Sequence, residues 1–114
     1  MAIEAQDFTI YQGDERLIGF TIYQEDNITA LDITAATFLW VVAKRLTDTP
    51  VISKTSGAGI SFNVAANGTL LVQIVKADTD KLQSDYQHEL IMTLGGEVKT
   101  VSTGTVTIKP SAGK

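Results

Sequence analysis

The chain has no cysteine, which removes disulfides, thiolate catalysis and cysteine-ligated metals together. It fits a protein that needs no staple for an oxidising compartment. Basic runs are also missing. Nine Lys and Arg are scattered among thirteen Asp and Glu, with a net charge of −4, and Lys44-Arg45 is the one basic pair. A nucleic-acid binder carries a basic stripe that releases counterions from phosphate, so nucleic acid is not an expected partner. The longest apolar stretch, Phe38 to Ala43, is far too short to span a bilayer, and no membrane partner is expected. Met1 to Asp7 has neither the basic nor the apolar region of a signal peptide.

What the chain does have is short alternating segments. Ile18, Phe20 and Ile22 alternate with polar or small residues. So do Leu70, Val72 and Ile74, then Tyr86, His88, Leu90 and Met92, then Val106 and Ile108. Successive side chains of a strand point to opposite faces, so each segment offers one apolar face. Packing sheet against sheet satisfies several such faces. At 114 residues with 44% hydrophobic and 19% charged, one soluble domain is expected, able to bury about two thirds of its unfolded surface.

Strands are expected at 8–11, 16–23, 37–44, 69–75, 86–94 and 98–108. A shorter pair, 51–54 and 60–64, flanks Ser56-Gly57-Ala58-Gly59 and reads as a hairpin. Turns fall at Gln12-Gly13-Asp14-Glu15, Gln24 to Asn27, Thr47 to Pro50, Asn67-Gly68 and Gly95-Gly96. A helical turn is expected near residues 78–83, capped by Asp78 or Thr79 and pinned by Leu82. Phe38 to Ala43 is continuously apolar, so both faces of that strand are candidates for cover; a helical segment competes. The expectation is an all-β, immunoglobulin-like antiparallel β-sandwich of seven to nine strands, one domain over 1–114. Residues 1–7 and 110–114 would be extended arms that either touch a partner or fray.

Chemistry is not placed on this scaffold. His88 is the single histidine; its structural reading, with both ring nitrogens bonded, stands beside a general-base reading. The serines at 53, 56, 61, 84, 102 and 111 lie in no Gly-x-Ser-x-Gly elbow. Glu25-Asp26 and Asp78, Asp80 and Asp85 read as turn and cap residues more readily than as a carboxylate pair. Asp78-x-Asp80 opens a calcium-loop pattern, but Lys81 and Leu82 follow where ligands and a glycine are needed. Gly57-x-Gly59 precedes no helix and cradles no phosphate. Asn27-Ile28-Thr29 fits a glycosylation sequon, of little value without secretion. No residue is nominated as catalytic, cofactor-binding or metal-ligating, and no cofactor is expected. Trp40 is read as a packing residue or a partner contact.

The order of motifs resembles a known family. Gln12-Gly13-Asp14 precedes the second strand and Leu31-Asp32-Ile33-Thr34 the third. Asn67-Gly68-Thr69-Leu70-Leu71-Val72 leads to Ala77-Asp78-Thr79-Asp80-Lys81-Leu82, then Asp85-Tyr86-Gln87-His88-Glu89-Leu90, then Gly104-Thr105-Val106-Thr107-Ile108-Lys109-Pro110. This is similar to the small immunoglobulin-like domains of tailed-phage virion proteins, such as the N-terminal domain of baseplate upper and fibre-associated proteins. The resemblance covers nearly the whole chain. It implies a packed Tyr86 and a basic end to the third strand at Lys44 or Arg45. It also implies a non-enzymatic structural subunit of a phage or prophage particle, in the tail, baseplate or fibre-attachment region. Capsid decoration is the near alternative. Its partners would be other virion proteins and further copies in a symmetric assembly, in a virion built in the bacterial cytoplasm. The competing class is a carbohydrate-binding module with Tyr11, Tyr23 and Trp40 as a stacking platform.

Overall fold

The computed structural model describes residues 4–24, 26, 28–45, 47–80 and 82–113. Met1 to Ile3 of the expected N-terminal arm, Glu25, the sequon's Asn27, Lys81 and Lys114 lie outside the described residues. The chain is all-β. Its strands are β1 (Glu4–Ala5), β2 (Phe8–Tyr11), β3 (Arg16–Thr21), β4 (Thr37–Ala43), β5 (Ile52–Ser56), β6 (Gly59–Val64), β7 (Thr69–Ile74), β8 (Ser84–Leu94) and β9 (Glu97–Lys109). One helical turn, α1 (Lys76–Thr79), sits between β7 and β8.

The strands form one continuous sheet in the order β1-β9-β8-β4-β5-β6-β7-β3, with β2 also on β9. The sheet curls until its two halves face each other. Phe20 on β3 and His88 on β8 meet across the interior, ring centroids 6.1 Å apart. The neighbours β9-β8-β4-β5 and β6-β7-β3 are the two facing halves of this curled sheet. Tyr86 precedes His88 by two on the same strand, and Trp40 packs on the imidazole at 5.9 Å between centroids.

The alternating segments behave as their pattern demands. Ile18, Phe20 and Ile22, then Leu70, Val72 and Ile74, then Leu90, Met92, Val106 and Ile108 are all buried in one core. The Gly95-Gly96 turn joins β8 to β9, with φ of 62° and 81°, the positive values a two-residue hairpin turn requires. Asn67-Gly68 ends a 3-10 turn, and Gly68 has no room for a side chain: a Cβ there would lie 2.4 Å from the Ile22 carbonyl oxygen. Asp32 closes its loop as the motif implies, accepting from the Thr34 N–H at 3.0 Å and hydroxyl at 2.6 Å.

Three expectations change. First, the sheet is not wholly antiparallel: β1 and β2 both run parallel to β9. Direction is forced only where a tight turn joins two partners, and the first and last strands share no turn. Second, 51–54 and 60–64 are not an antiparallel hairpin. β5 pairs with β4 and β6 with β7, and the two touch only through the parallel pairs Thr55↔Gly59 and Ser56↔Ile60. Ile52 and Ile60 are buried in opposite halves, so the chain changes layer at the glycine turn. Third, the helical turn begins at Lys76, two residues before the expected start. Asp78 caps it from inside, accepting from the Val75 N–H at 2.8 Å, and Leu82 packs half-buried on the core as expected.

Candidate functional site

The sequence offered one imidazole, and the structure places it at the centre of the core. His88 has no exposed surface. Trp40 Nε1–H donates to His88 Nδ1 at 3.2 Å, so Nδ1 is unprotonated. His88 Nε2 then carries the proton and donates to the carbonyl oxygen of Gln6. The rings of Phe8, Phe20 and Trp40 enclose the imidazole. Burial pushes its pKa below the ordinary histidine value, against the opposing pull of the Gln6 carbonyl and the Asp7 carboxylate. Both ring nitrogens are bonded and the ring has no exposed surface, the arrangement of a histidine that packs and ties segments together. The structural reading of His88 is the one its geometry meets.

The segment that reaches the imidazole crosses β9 at a notch. His88 and Gly104 are cross-strand partners. A Cβ on Gly104 would lie 2.1 Å from the Gln6 carbonyl oxygen, so the glycine is the gap through which that carbonyl passes inward. Gln6 N–H donates to the Thr103 carbonyl at 2.9 Å, and Asp7 Oδ1 accepts from the Thr105 N–H at 2.8 Å. Residues 4–7 are therefore tied to β9, where an extended arm was expected. At the other terminus, Ser111 N–H reaches Gln12 Oε1 at 3.3 Å.

Two of the serines hold local bonds. Ser56 Oγ accepts from the Phe38 N–H at 2.8 Å, and Ser84 Oγ bonds Lys44. Ser102 is buried beside a bulge at Val101, its hydroxyl without a partner among the described residues. The acidic residues serve locally. Asp26 accepts from Ile28 and Thr29 in its turn. Asp78, besides capping α1, pairs with Lys54 at 2.7 Å and ties β5 to the helical turn. That pair has no signal in the sequence, because its partners meet only through the layer change. Lys44 also lies over the Tyr86 ring, Nζ 5.4 Å from its centroid.

What remains is surface. The outer side of the β5-β4-β8-β9 half carries Leu39, Val41 and Ile91, with Leu39 and Ile91 directly paired. All three are half-buried, and no layer among the described residues covers them. Ser53 and Thr55 flank them on β5, and Thr100, Thr103, Thr105 and Thr107 on β9. Glu89 is the acidic member of this face near its middle, accepting from the Thr100 hydroxyl at 3.2 Å. The depression over β8 and β9 is lined by Gln87, Thr103, Gly104 and Thr105, none of them titratable. The stacking platform imagined for sugars is not assembled: Trp40 is fully buried, whereas Tyr11 is about half exposed at 48%.

The two ends of the curled sheet, β3 on one side and β1 with β2 on the other, are laced by side chains. Gln6 Nε2 donates to the Gly19 carbonyl at 3.3 Å and Arg16 to the Thr9 carbonyl at 3.1 Å. Those reaches occupy part of the β3 edge, so a partner meets this domain more readily by face than by added strand. No family model matches the chain, and no curated protein matches it.

Proposed function

We propose that the chain is a non-enzymatic structural subunit of a tailed-phage or prophage particle, a tail, baseplate or fibre-attachment component that acts by protein–protein assembly. The class rests on the order of motifs from Gln12-Gly13-Asp14 to the Gly104–Pro110 run, together with the all-β curled sheet. The observation that carries the mode of action is the strip of Leu39, Val41 and Ile91, uncovered among the described residues, on an outer face flanked by Ser and Thr with Glu89 beside Val41. A half-buried apolar strip rimmed mainly by hydroxyls gains from burial, and the Glu89 carboxylate beside it must be paired by the partner or kept wet. Repeated in a symmetric particle, one modest contact per copy becomes strong through avidity.

An antibody raised against the full chain tests the class. Applied to particles purified after prophage induction of the source bacterium, it is expected to decorate the tail or baseplate. Decoration of the capsid instead would select the cement-protein alternative. Absence of the chain from purified particles, while it is abundant in the cell fraction, would sink the virion reading. The carbohydrate reading keeps little support with Trp40 inside the core.

A further inference from the structure

We propose that His88 is an acid-released latch on the N-terminal segment: the neutral imidazole holds residues 4–8 over the core, and protonation lets that segment leave while the rest of the sheet stays folded. The geometry admits one charge state. Trp40 Nε1–H points at Nδ1 from 3.2 Å, so a second proton on the ring sets donor against donor. An imidazolium there needs an acceptor at Nδ1, and the ring has no exposed surface through which water supplies one.

The wall that yields is the one held least. Gln6 and Phe8 cover the imidazole from the N-terminal segment, the latter with its ring centroid 5.3 Å away. The other walls belong to the long β4–β8 ladder, paired from Thr37↔Thr93 to Ala43↔Gln87, and to β3, which is paired along its whole length with β7. The segment, by contrast, hangs on three parallel pairs, Glu4↔Ser102, Ala5↔Thr103 and, where it enters β2, Phe8↔Val106, and on the bonds of Gln6 and Asp7. Terminal, sparsely paired segments open at lower free energy than core strands.

The charged groups around the ring set where the latch opens. On the N-terminal segment Asp7 is the carboxylate whose field reaches the imidazole, and it favours the proton. The Gln6 carbonyl accepts from Nε2 in either charge state. The neighbours from β2, β3, β4 and β9 are Phe8, Phe20, Trp40 and Gly104, none of them titratable. Asp7 and Gln6 delay release into acid without removing the conflict at Nδ1.

The test is NMR on the full chain from pH 8 to pH 4, following the His88 ring and amide exchange together. An exposed histidine titrates near pH 6.5. Below about that value, protection of the Gln6 and Thr105 amides is expected to fall by up to tenfold per pH unit, while amides of the β4–β8 ladder keep theirs. Loss of both sets together would mean global unfolding and overturn the latch. So would a Gln6 amide that stays protected after the ring has titrated. His88→Gln supplies a second reading, because glutamine can donate to Gln6 and accept from Trp40 without titrating. Its Gln6 protection is expected to stay flat from pH 8 to pH 5, and a fall like that of the parent chain overturns the proposal. If that variant fails to fold, the ring titration of the parent chain decides alone.

Discussion

The two faces of the β4–β8 ladder differ in how much their side chains are asked to do. On the inner face Phe38, Trp40, Val42, His88, Leu90 and Met92 are all buried, and the two polar rings satisfy one another. On the outer face Leu39, Val41 and Ile91 alternate with them along the same strands, half-buried and without a covering layer among the described residues. One stretch of sequence, Phe38 to Ala43, therefore builds two surfaces with opposite tolerances. The inner one fixes the fold. The outer one is free to serve a partner, because changing it leaves the core packing alone.

The sharpest way to break the inner face is Trp40→Ala. It empties the largest fully buried side chain and leaves His88 Nδ1 without its donor. A loss of about 3–5 kcal/mol is expected from the cavity, measured by urea denaturation. Trp40→Phe keeps most of the ring and removes only the N–H, so about 1–3 kcal/mol is expected. Freed of the opposing donor, His88 should then titrate at higher pH, which ring NMR reads directly.

Gly104→Ala comes next. The new Cβ meets the Gln6 backbone at 2.1 Å, and backbone cannot swing aside as a side-chain end can. About 1–3 kcal/mol is expected, in the range of overpacked sites. The damage should be local: the Gln6 amide loses exchange protection while the β4–β8 ladder keeps it. A variant as stable as the parent, with Gln6 still protected, would show that the notch is not needed.

Acid acts on the inner face before it reaches the surface turns. The folded pKa of His88 lies below its unfolded value of about 6.5. The unfolded chain therefore binds the extra proton first. The stabilisation is complete above about pH 6.5 and is lost as pH falls below it, at no more than about 1.4 kcal/mol per pH unit for one proton. Asp26 and Asp32 are shifted down by their bonds to Thr29 and Thr34. Their contribution is present above the ordinary carboxylate value and fades only below about pH 4. Denaturation midpoints taken across pH 8 to pH 3 should separate these windows, and a midpoint unchanged between pH 7 and pH 5 would contradict the buried neutral imidazole.

These contrasts also mark what could be read from the residues. Alternation exposed the inward sets at Ile18-Phe20-Ile22 and Tyr86-His88-Leu90-Met92, because a period of two is written in the chain itself. The turns at Asn67-Gly68 and Gly95-Gly96 were legible for the same reason: left-handed backbone selects its residues. The parallel seating of β1 and β2 was not legible, since no local feature of Glu4 to Tyr11 names a partner about a hundred residues away. Nor was the Lys54–Asp78 pair. The environment of His88 was half legible. Its inward direction followed from the pattern, but its partners, Trp40 and the Gln6 carbonyl, come from the adjacent strand β4 and from a segment that had read as a free arm.

The outer face gives the smallest expected effect on stability and the largest on assembly. Leu39 and Ile91 are a direct cross-strand pair, and such a pair adds about 0.2–1 kcal/mol to a sheet. Leu39→Thr and Ile91→Thr both leave a β-branched side chain suited to the strand, so each should cost no more than about 1 kcal/mol. On the proposed reading each should also weaken incorporation into particles, measured as the fraction of chain that co-sediments with them, because a shallow contact repeated by symmetry multiplies any local loss. Control changes at Gln73 and Glu15, exposed on the opposite half, should leave co-sedimentation as it was. If the threonine variants incorporate as well as the parent while the opposite half proves sensitive, the docking face lies on β3 and β7, and the bare strip over β4 and β8 is only the weathered side of a folded sheet.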